Sequence, residues 1–348
     1  MLRIGVVGYG YWGPNIVRNF SKIDGAQVVR VCDKREDALK ALQKENPNIE
    51  ISTSADDVLE APDIDVVAVV TPVSTHYPLA KKALLNGKHV FVEKPFTATS
   101  EQAEELIEIA ESRSLCIMVD HTFIFTGAVR RIKELIGDET LGKIYYYDST
   151  RVNLGLFQHD VNVVWDLAPH DFSIMDYLLT EKPEALTANG VAHVSNMEDV
   201  SYVTMYFKNN LIAHFNVNWL SPVKVRNTLI GGEKKMLVWN DLDPDEKIKI
   251  YDKGIEVDNL KSLYNLLVSY RSGDIWAPRL DSTEALRLEC SHFVECIEKG
   301  TKPINDGASG LRVVRMLEAC NESLAKRGQL VEIPQFADSG VNPGMLVS

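Results

Sequence analysis

Residues 2–20, LRIGVVGYGYWGPNIVRNF, constrain the fold more than any other stretch. An apolar run ends at Gly8, the pattern Gly8-x-Gly10-x-x-Gly13 follows, and a helix-like segment opens with Pro14, whose missing N–H costs nothing in a first helical turn. A second apolar run, QVVRVC, ends at Asp33, 33 − 8 = 25 positions after Gly8. Strand, glycine turn, helix and a second strand closed by an acid match the needs of a dinucleotide. The glycines let a pyrophosphate approach the backbone at a helix N-terminus, and the carboxylate accepts from ribose hydroxyls. Gly8, Gly10, Tyr11, Trp12 and Gly13 are the expected cradle, with Asp33 on the ribose. Asp33 would repel a 2′-phosphate, which favours NAD over NADP, although Lys34 and Arg35 follow directly and can partly neutralise one.

Alternation of helices and strands continues: a helix over 35–46, a short strand at 49–52, a helix at 55–60, a strand at 65–70, a helix at 77–86 stopped by Gly87, a strand at 89–92, a helix at 100–112 and a strand at 115–119. Six strands in this order predict a doubly wound parallel sheet complete near residue 120, an α/β Rossmann domain over 1–120. Beyond it strands follow strands through short turns such as Lys208-Asn-Asn210 and Gly231-Gly232, so residues 121–348 are expected to form an α+β domain on a large, mainly antiparallel open sheet. The helix at 165–179 interrupts early, and helices over 283–299 and 309–326 close the chain and are available to pack back on the first domain. A length of 348 residues also favours two domains.

The net charge of -12, with no Lys/Arg block, argues against nucleic acid as a partner. Five cysteines without CxxC spacing predict neither a zinc site nor a disulfide framework, so no metal is expected. No apolar run approaches the roughly 18 residues of a membrane helix, and the chain opens directly on a strand, which predicts a cytoplasmic protein without membrane contact.

Two segments carry chemistry. KHVFVEKPF (88–96) is a buried strand ending in Glu93-Lys94-Pro95, which delivers a lysine to the carboxyl edge where open α/β sheets bind ligands. WDLAPHD (165–171) places Asp166 and His170 four apart, on one face if helical. Pro169 suits a first turn, which predicts a helix start near Asp166 and puts His170 by the positive end, where the neutral base form is favoured.

With the glycine fingerprint, Asp33, Thr71-Pro72, Glu93-Lys94-Pro95, Leu141-Gly-Lys-Ile144 and Asp166-Leu-Ala-Pro-His170 in order, the chain resembles the Gfo/Idh/MocA oxidoreductases over nearly its whole length. That resemblance implies a held nicotinamide cofactor and oxidation or reduction of a sugar or polyol carbon. Lys94, Asp166 and His170 become the catalytic set, Lys94 and His170 both being able to serve as base. Thr71, Pro72, His76, Glu93, Lys94, Pro95, Lys34 and Arg35 join the cofactor contacts, and a cis bond before Pro95 is implied. GYGYWGPNIVRNF with WDLAPHD further resembles a branch that oxidises nucleotide sugars, UDP-N-acetylhexosamines or their uronic acids, at C3. His121, Phe123, Arg151, Asn153, His159 and Trp165 are the expected substrate contacts, with Tyr270 and Arg271 as further anchors. The chain departs from many relatives at Phe123-Ile-Phe-Thr126, where they carry Arg-x-x-Pro, and at Val161-Asn-Val-Val-Trp165, where they carry Gly-Gly. The alternatives are a dehydrogenase or ketoreductase of a free sugar or inositol, and a dinucleotide-sensing regulator without catalysis. A homo-oligomer, dimer or tetramer, joined through the open sheet is expected.

Overall fold

The computed structural model describes residues 1–155, 157, 160–257 and 268–335. The chain divides into two compact units, one built on Met1–Phe125 with Thr283–Arg315 and the other on Thr126–Ser282 with Met316–Pro334.

The first unit alternates β1 (Leu2–Val7), α1 (Gly13–Phe20), β2 (Ala26–Cys32), α2 (Glu36–Glu45), β3 (Glu50–Ser52), α3 (Asp56–Leu59), β4 (Val66–Val69), α4 (His76–Leu85), β5 (His89–Glu93), α5 (Ser100–Ser112) and β6 (Ile117–Asp120). The sheet runs β3-β2-β1-β4-β5-β6 and every pair is parallel. Strands covered on both faces are apolar without alternation, and Val66, Val67, Ala68 and Val69 are all fully buried. The order reverses between β1 and β4, so the crevice at their carboxyl ends lies over Gly8 and Thr71. α8 (Ala285–Lys299) packs into this unit: Phe293 meets Phe91 at 5.7 Å and Phe20 at 6.4 Å between ring centroids.

The second unit contains α6 (Gly127–Gly137), β7 (Ile144–Leu154), α7 (Val163–Leu178), β8 (Ala185–Val191), β9 (Val200–Tyr206), β10 (Ile212–Asn218), β11 (Leu220–Gly232), β12 (Met236–Asn240), β13 (Ile248–Val257), β14 (Val268–Trp276) and β15 (Val331–Glu332), while α9 (Gly307–Ala325) contributes residues to both units. Its sheet has nine strands in the order β14-β13-β12-β11-β7-β10-β9-β8-β15, antiparallel except for the β7–β10 pair. Alternation decides its faces: Val203, Met205, Ala213, Phe215 and Val217 are buried, whereas Tyr202, Tyr206 and Ile212 are exposed. Phe172 of α7 meets Phe215 edge-on at 4.9 Å, which sets α7 on the buried face. The fold is the expected parallel Rossmann sheet plus a mostly antiparallel open sheet.

Two features differ from expectation. β14 and β15 were not predicted, and α7 begins at Val163 rather than near Asp166. The Asn162 side chain accepts from Trp165 N at 3.1 Å and caps the helix there. Pro169 thus lies inside the helix, and His170 stands two turns from the N-terminus, where the terminal dipole has faded. Among the described residues no helix is long and apolar enough to cross a membrane, and no cluster of His, Cys, Asp or Glu is arranged to hold a metal ion.

Candidate active site

In the first unit the glycine turn is fixed by close approach. Gly8 has φ +102°, and a Cβ there would lie 2.1 Å from Val70 O. A Cβ on Gly13 would sit 2.7 Å from Gly8 O, so the start of α1 presses directly on the turn, while Gly10 faces open space. α1 carries no side-chain cap and no acid in its first turn, which leaves its positive end for an anion. Tyr11 and Trp12 are exposed beside it.

Asp33 closes β2 and accepts from Tyr9 N at 2.7 Å, Arg35 N at 2.9 Å and Arg35 Nε at 3.0 Å. Partial burial works against its charge, but the Arg35 and Tyr9 hydrogen bonds prevail and hold its pKa below the usual carboxylate range. Arg35 is largely exposed and also reaches Tyr9 O at 2.8 Å, so it can swing aside for a ribose hydroxyl. These features fit a dinucleotide: a glycine bed, an uncapped helix start and an ionised acid at the adjacent strand end.

β4 and β5 deliver the rest of the edge. The Thr71 hydroxyl accepts from that of Thr75 at 2.7 Å, which closes the Thr71-Pro72 turn. Glu93, the last residue of β5, is buried and in register with Asp120 of β6. Lys94 is half-buried, and its peptide bond to Pro95 is cis. His76 is 1% exposed, with Nδ1 2.9 Å from Pro95 O and Nε2 2.6 Å from Thr71 O, so it joins the two strand-end turns rather than opening to a ligand.

Behind this edge lies a buried acid pair. Asp120 is buried and accepts from the Thr122 hydroxyl; Glu289 of α8 is fully buried and accepts from Asn305 Nδ2 at 2.8 Å. Asn305 also donates to Val119 O at 2.7 Å. Burial raises both carboxyl pKa values, and the negative charge of Asp120 pushes Glu289 up further. Glu289 was detectable only as an acid on an apolar stripe, three residues after Leu286 and four before Phe293.

In the second unit, Asp166 and His170 are half-buried on α7, and Trp219 Nε1 donates to Asp166 Oδ2 at 3.1 Å. A buried indole needs an acceptor, and this one fixes the carboxylate on the His170 face of the helix. Phe157 packs on Trp219 at 5.2 Å between centroids. Arg151 of β7 is buried against Asp171, the neighbour of His170, through Nε to Oδ2 at 2.6 Å and Nη2 to Oδ1 at 3.2 Å, and Ser149 Oγ donates to Oδ1 at 3.0 Å.

Two family models match the chain. Residues 2–121 fit the oxidoreductase family with an NAD-binding Rossmann fold, and residues 129–238 fit the GFO/IDH/MocA C-terminal domain. The chain belongs to the Gfo/Idh/MocA oxidoreductase family. It is 26% identical to UDP-N-acetylglucosamine 3-dehydrogenase of Acidithiobacillus ferrooxidans, over 90% of this chain and 94% of that one. A solved structure of that enzyme has a TM-score of 0.76 and covers 94% of this chain and 98% of its own. The chain is 25% identical to an NADP-dependent scyllo-inositol 2-dehydrogenase of Bacillus subtilis, over 92% of this chain and 93% of that one. A further relative, an uncharacterised oxidoreductase of Streptococcus pneumoniae, is 28% identical over 61% of each chain, so the match spans less than two thirds of that protein.

The site residues expected from sequence sort by unit. The first unit holds Gly8, Gly10, Tyr11, Trp12, Gly13, Asp33, Lys34, Arg35, Thr71, Pro72, His76, Glu93, Lys94 and Pro95, all at carboxyl ends of β1, β2, β4 and β5 or at the helix starts that follow. It also holds His121, which is buried, and the half-buried Phe123 in the turn after β6. The second unit holds Asp166, His170, Asn153, Arg151 and a buried Trp165. His159 lies outside the described residues, as do the side chains of Tyr270 and Arg271. Trp219 and Asp171, missed in the sequence, are the partners that fix Asp166 and Arg151.

Proposed function

We propose that the protein is an NAD-dependent dehydrogenase that moves a hydride between a secondary alcohol of a sugar, C3 of a UDP-linked N-acetylated sugar, and nicotinamide. The observation that carries the redox reading is Lys94 at the end of β5, on the same sheet edge as the Gly8–Gly13 cradle. The sugar class rests on similarity to UDP-N-acetylglucosamine 3-dehydrogenase over nine tenths of the chain. The runner-up, oxidation of a free polyol, rests on comparable similarity to the inositol dehydrogenase.

The cradle glycines, the start of α1 and Asp33 would hold the dinucleotide, whose nicotinamide supplies the hydride acceptor. His170 takes the hydroxyl proton as the hydrogen on the same carbon leaves with the C–H electron pair, and Asp166, held by Trp219, keeps the ring oriented. Lys94 donates a hydrogen bond to the oxygen as it becomes a carbonyl. Reduction of NAD by UDP-N-acetylhexosamines, their uronic acids and inositol, followed at the NADH band, tests the assignment.

Cofactor choice has its own test. Asp33→Ser removes the carboxylate that accepts from the ribose and repels a 2′-phosphate, and leaves Lys34 and Arg35 in place. A hydrogen bond to a charged group contributes about 1.5 to 3 kcal/mol, so the NAD/NADP ratio of kcat/KM is expected to fall roughly 10- to 100-fold. An unchanged ratio would remove Asp33 from the ribose site.

A further inference from the structure

We infer that His76 is the positioning residue of Lys94, its ring acting as a proton-dependent strap between the Pro95 carbonyl and the Thr71 carbonyl. The inference rests on the reading of Lys94 given above.

Both ring nitrogens of His76 face carbonyl oxygens, Pro95 O at 2.9 Å and Thr71 O at 2.6 Å. A carbonyl oxygen only accepts, and a neutral imidazole has one N–H; it can serve one of these oxygens while turning a lone pair on the other. Imidazolium serves both. With the ring 1% exposed, water cannot replace a missing donor. The two carbonyls belong to turns that leave adjacent parallel strands, β4 and β5, whose last paired residues are Val69 and Val92. One turn carries Lys94 immediately before the strapped carbonyl. The other carries Thr71, whose Cγ2 would lie 2.9 Å from a Cβ on Gly8, so the strap ties the lysine turn to the glycine cradle.

Burial disfavours a charged ring, the carbonyls of Thr71, Pro95 and Phe96 favour it, and the Lys94 ammonium opposes it; the net shift is downward. On α4 the neighbouring Tyr77 and Lys81 are turned to Glu105 of α5, and Glu93 stands one residue before Lys94 on β5. The Lys94 ammonium is the nearby cation that adds to burial in opposing a charged ring. Removing the charge of Lys94 makes it easier for the ring to take its second N–H and close the strap, with burial still the larger opposing cause.

The test uses the full chain with 15N-labelled histidine, the ring signals of His76 being assigned by their loss in H76F and H76Q. In K94M both ring nitrogens are expected to titrate as imidazolium with a midpoint above that of the wild type. Equal midpoints, or a single neutral tautomer in both proteins down to the acid limit of folding, would overturn the strap. In turnover assays H76F is expected to lose about 10²-fold in kcat, the scale of a small misplacement of a reacting group, with the Kd for NAD little changed. H76Q, which keeps a donor, should recover part of the loss, and H76F/K94M should be no slower than K94M. Multiplying losses in the double variant, or no recovery in H76Q, would make His76 a packing residue only. If K94M turns over normally the role of Lys94 fails, while the ring titration still decides the strap.

Discussion

Replacing His170 with alanine is expected to slow hydride transfer by about 10²- to 10⁴-fold, the range of general-base assistance, without unfolding the chain. His170 lies inside α7, where alanine is the best helix former, and is half-buried, so the loss falls on proton transfer rather than on the core. Asp166 keeps its Trp219 partner in the variant, which leaves the rest of the helix face intact. Lys94→Ala removes the donor at the substrate oxygen and is expected to cost a comparable factor. Single-turnover NADH formation and the melting temperature, measured together, separate chemistry from folding. Near-normal rates in both variants would end the proposed mechanism.

Arg151→Met is expected to cost about 3 to 5 kcal/mol of stability, because it removes both guanidinium hydrogen bonds from the buried Asp171 carboxylate, near which Arg226 also carries charge. The pair is nearly fully buried, with Nε 2.6 Å from Oδ2, and Ser149 supplies only one further donor. At about 2 to 4 °C per kcal/mol for a domain of this size, the melting temperature should fall by roughly 6 to 20 °C. Arg151→Met with Asp171→Leu should restore most of the loss, since it removes both charges and leaves apolar packing in their place. Calorimetry of the single and double variants checks both statements; a loss below about 1 kcal/mol in the single variant would mean that the guanidinium does not hold the pair. The comparison bears on function, because Asp171 is adjacent to His170 in the chain.

The first unit was legible because its strands are buried on both faces and its turns are punctuated. Val66–Val69 reads as strand without alternation, and Gly8 is required by a backbone approach that no side chain permits. The sheet of the second unit was legible where buried and exposed residues alternate between short turns, as in β9 and β10. β14 was not, since Val268–Trp276 carries Ser-Tyr-Arg-Ser-Gly-Asp in place of a regular alternation, and β15 is two residues long. In α7 the sequence contains both a proline, which suggested a start near Asp166, and an asparagine, which makes the start. The cap prevailed because Val163, Val164 and Trp165 bury themselves as the first turn, and that burial outweighs one lost hydrogen bond at Pro169. Glycines and motif acids announce themselves by local spacing. Trp219 with Asp166, Arg151 with Asp171 and Glu289 with Asn305 meet across long separations in the chain, so no local pattern reveals them.

The most direct test of the account is the rise of the NADH absorbance when the protein is mixed with NAD and a UDP-N-acetylhexosamine. Stoichiometric or catalytic NADH formation with the nucleotide sugar, weaker or none with inositol, and a rate that collapses in His170→Ala is the predicted result. Reduction of NAD by inositol alone would move the substrate to free polyols. No reduction with any sugar, nucleotide sugar or polyol, by protein that binds NAD, would contradict the assignment of Lys94, Asp166 and His170 to hydride chemistry.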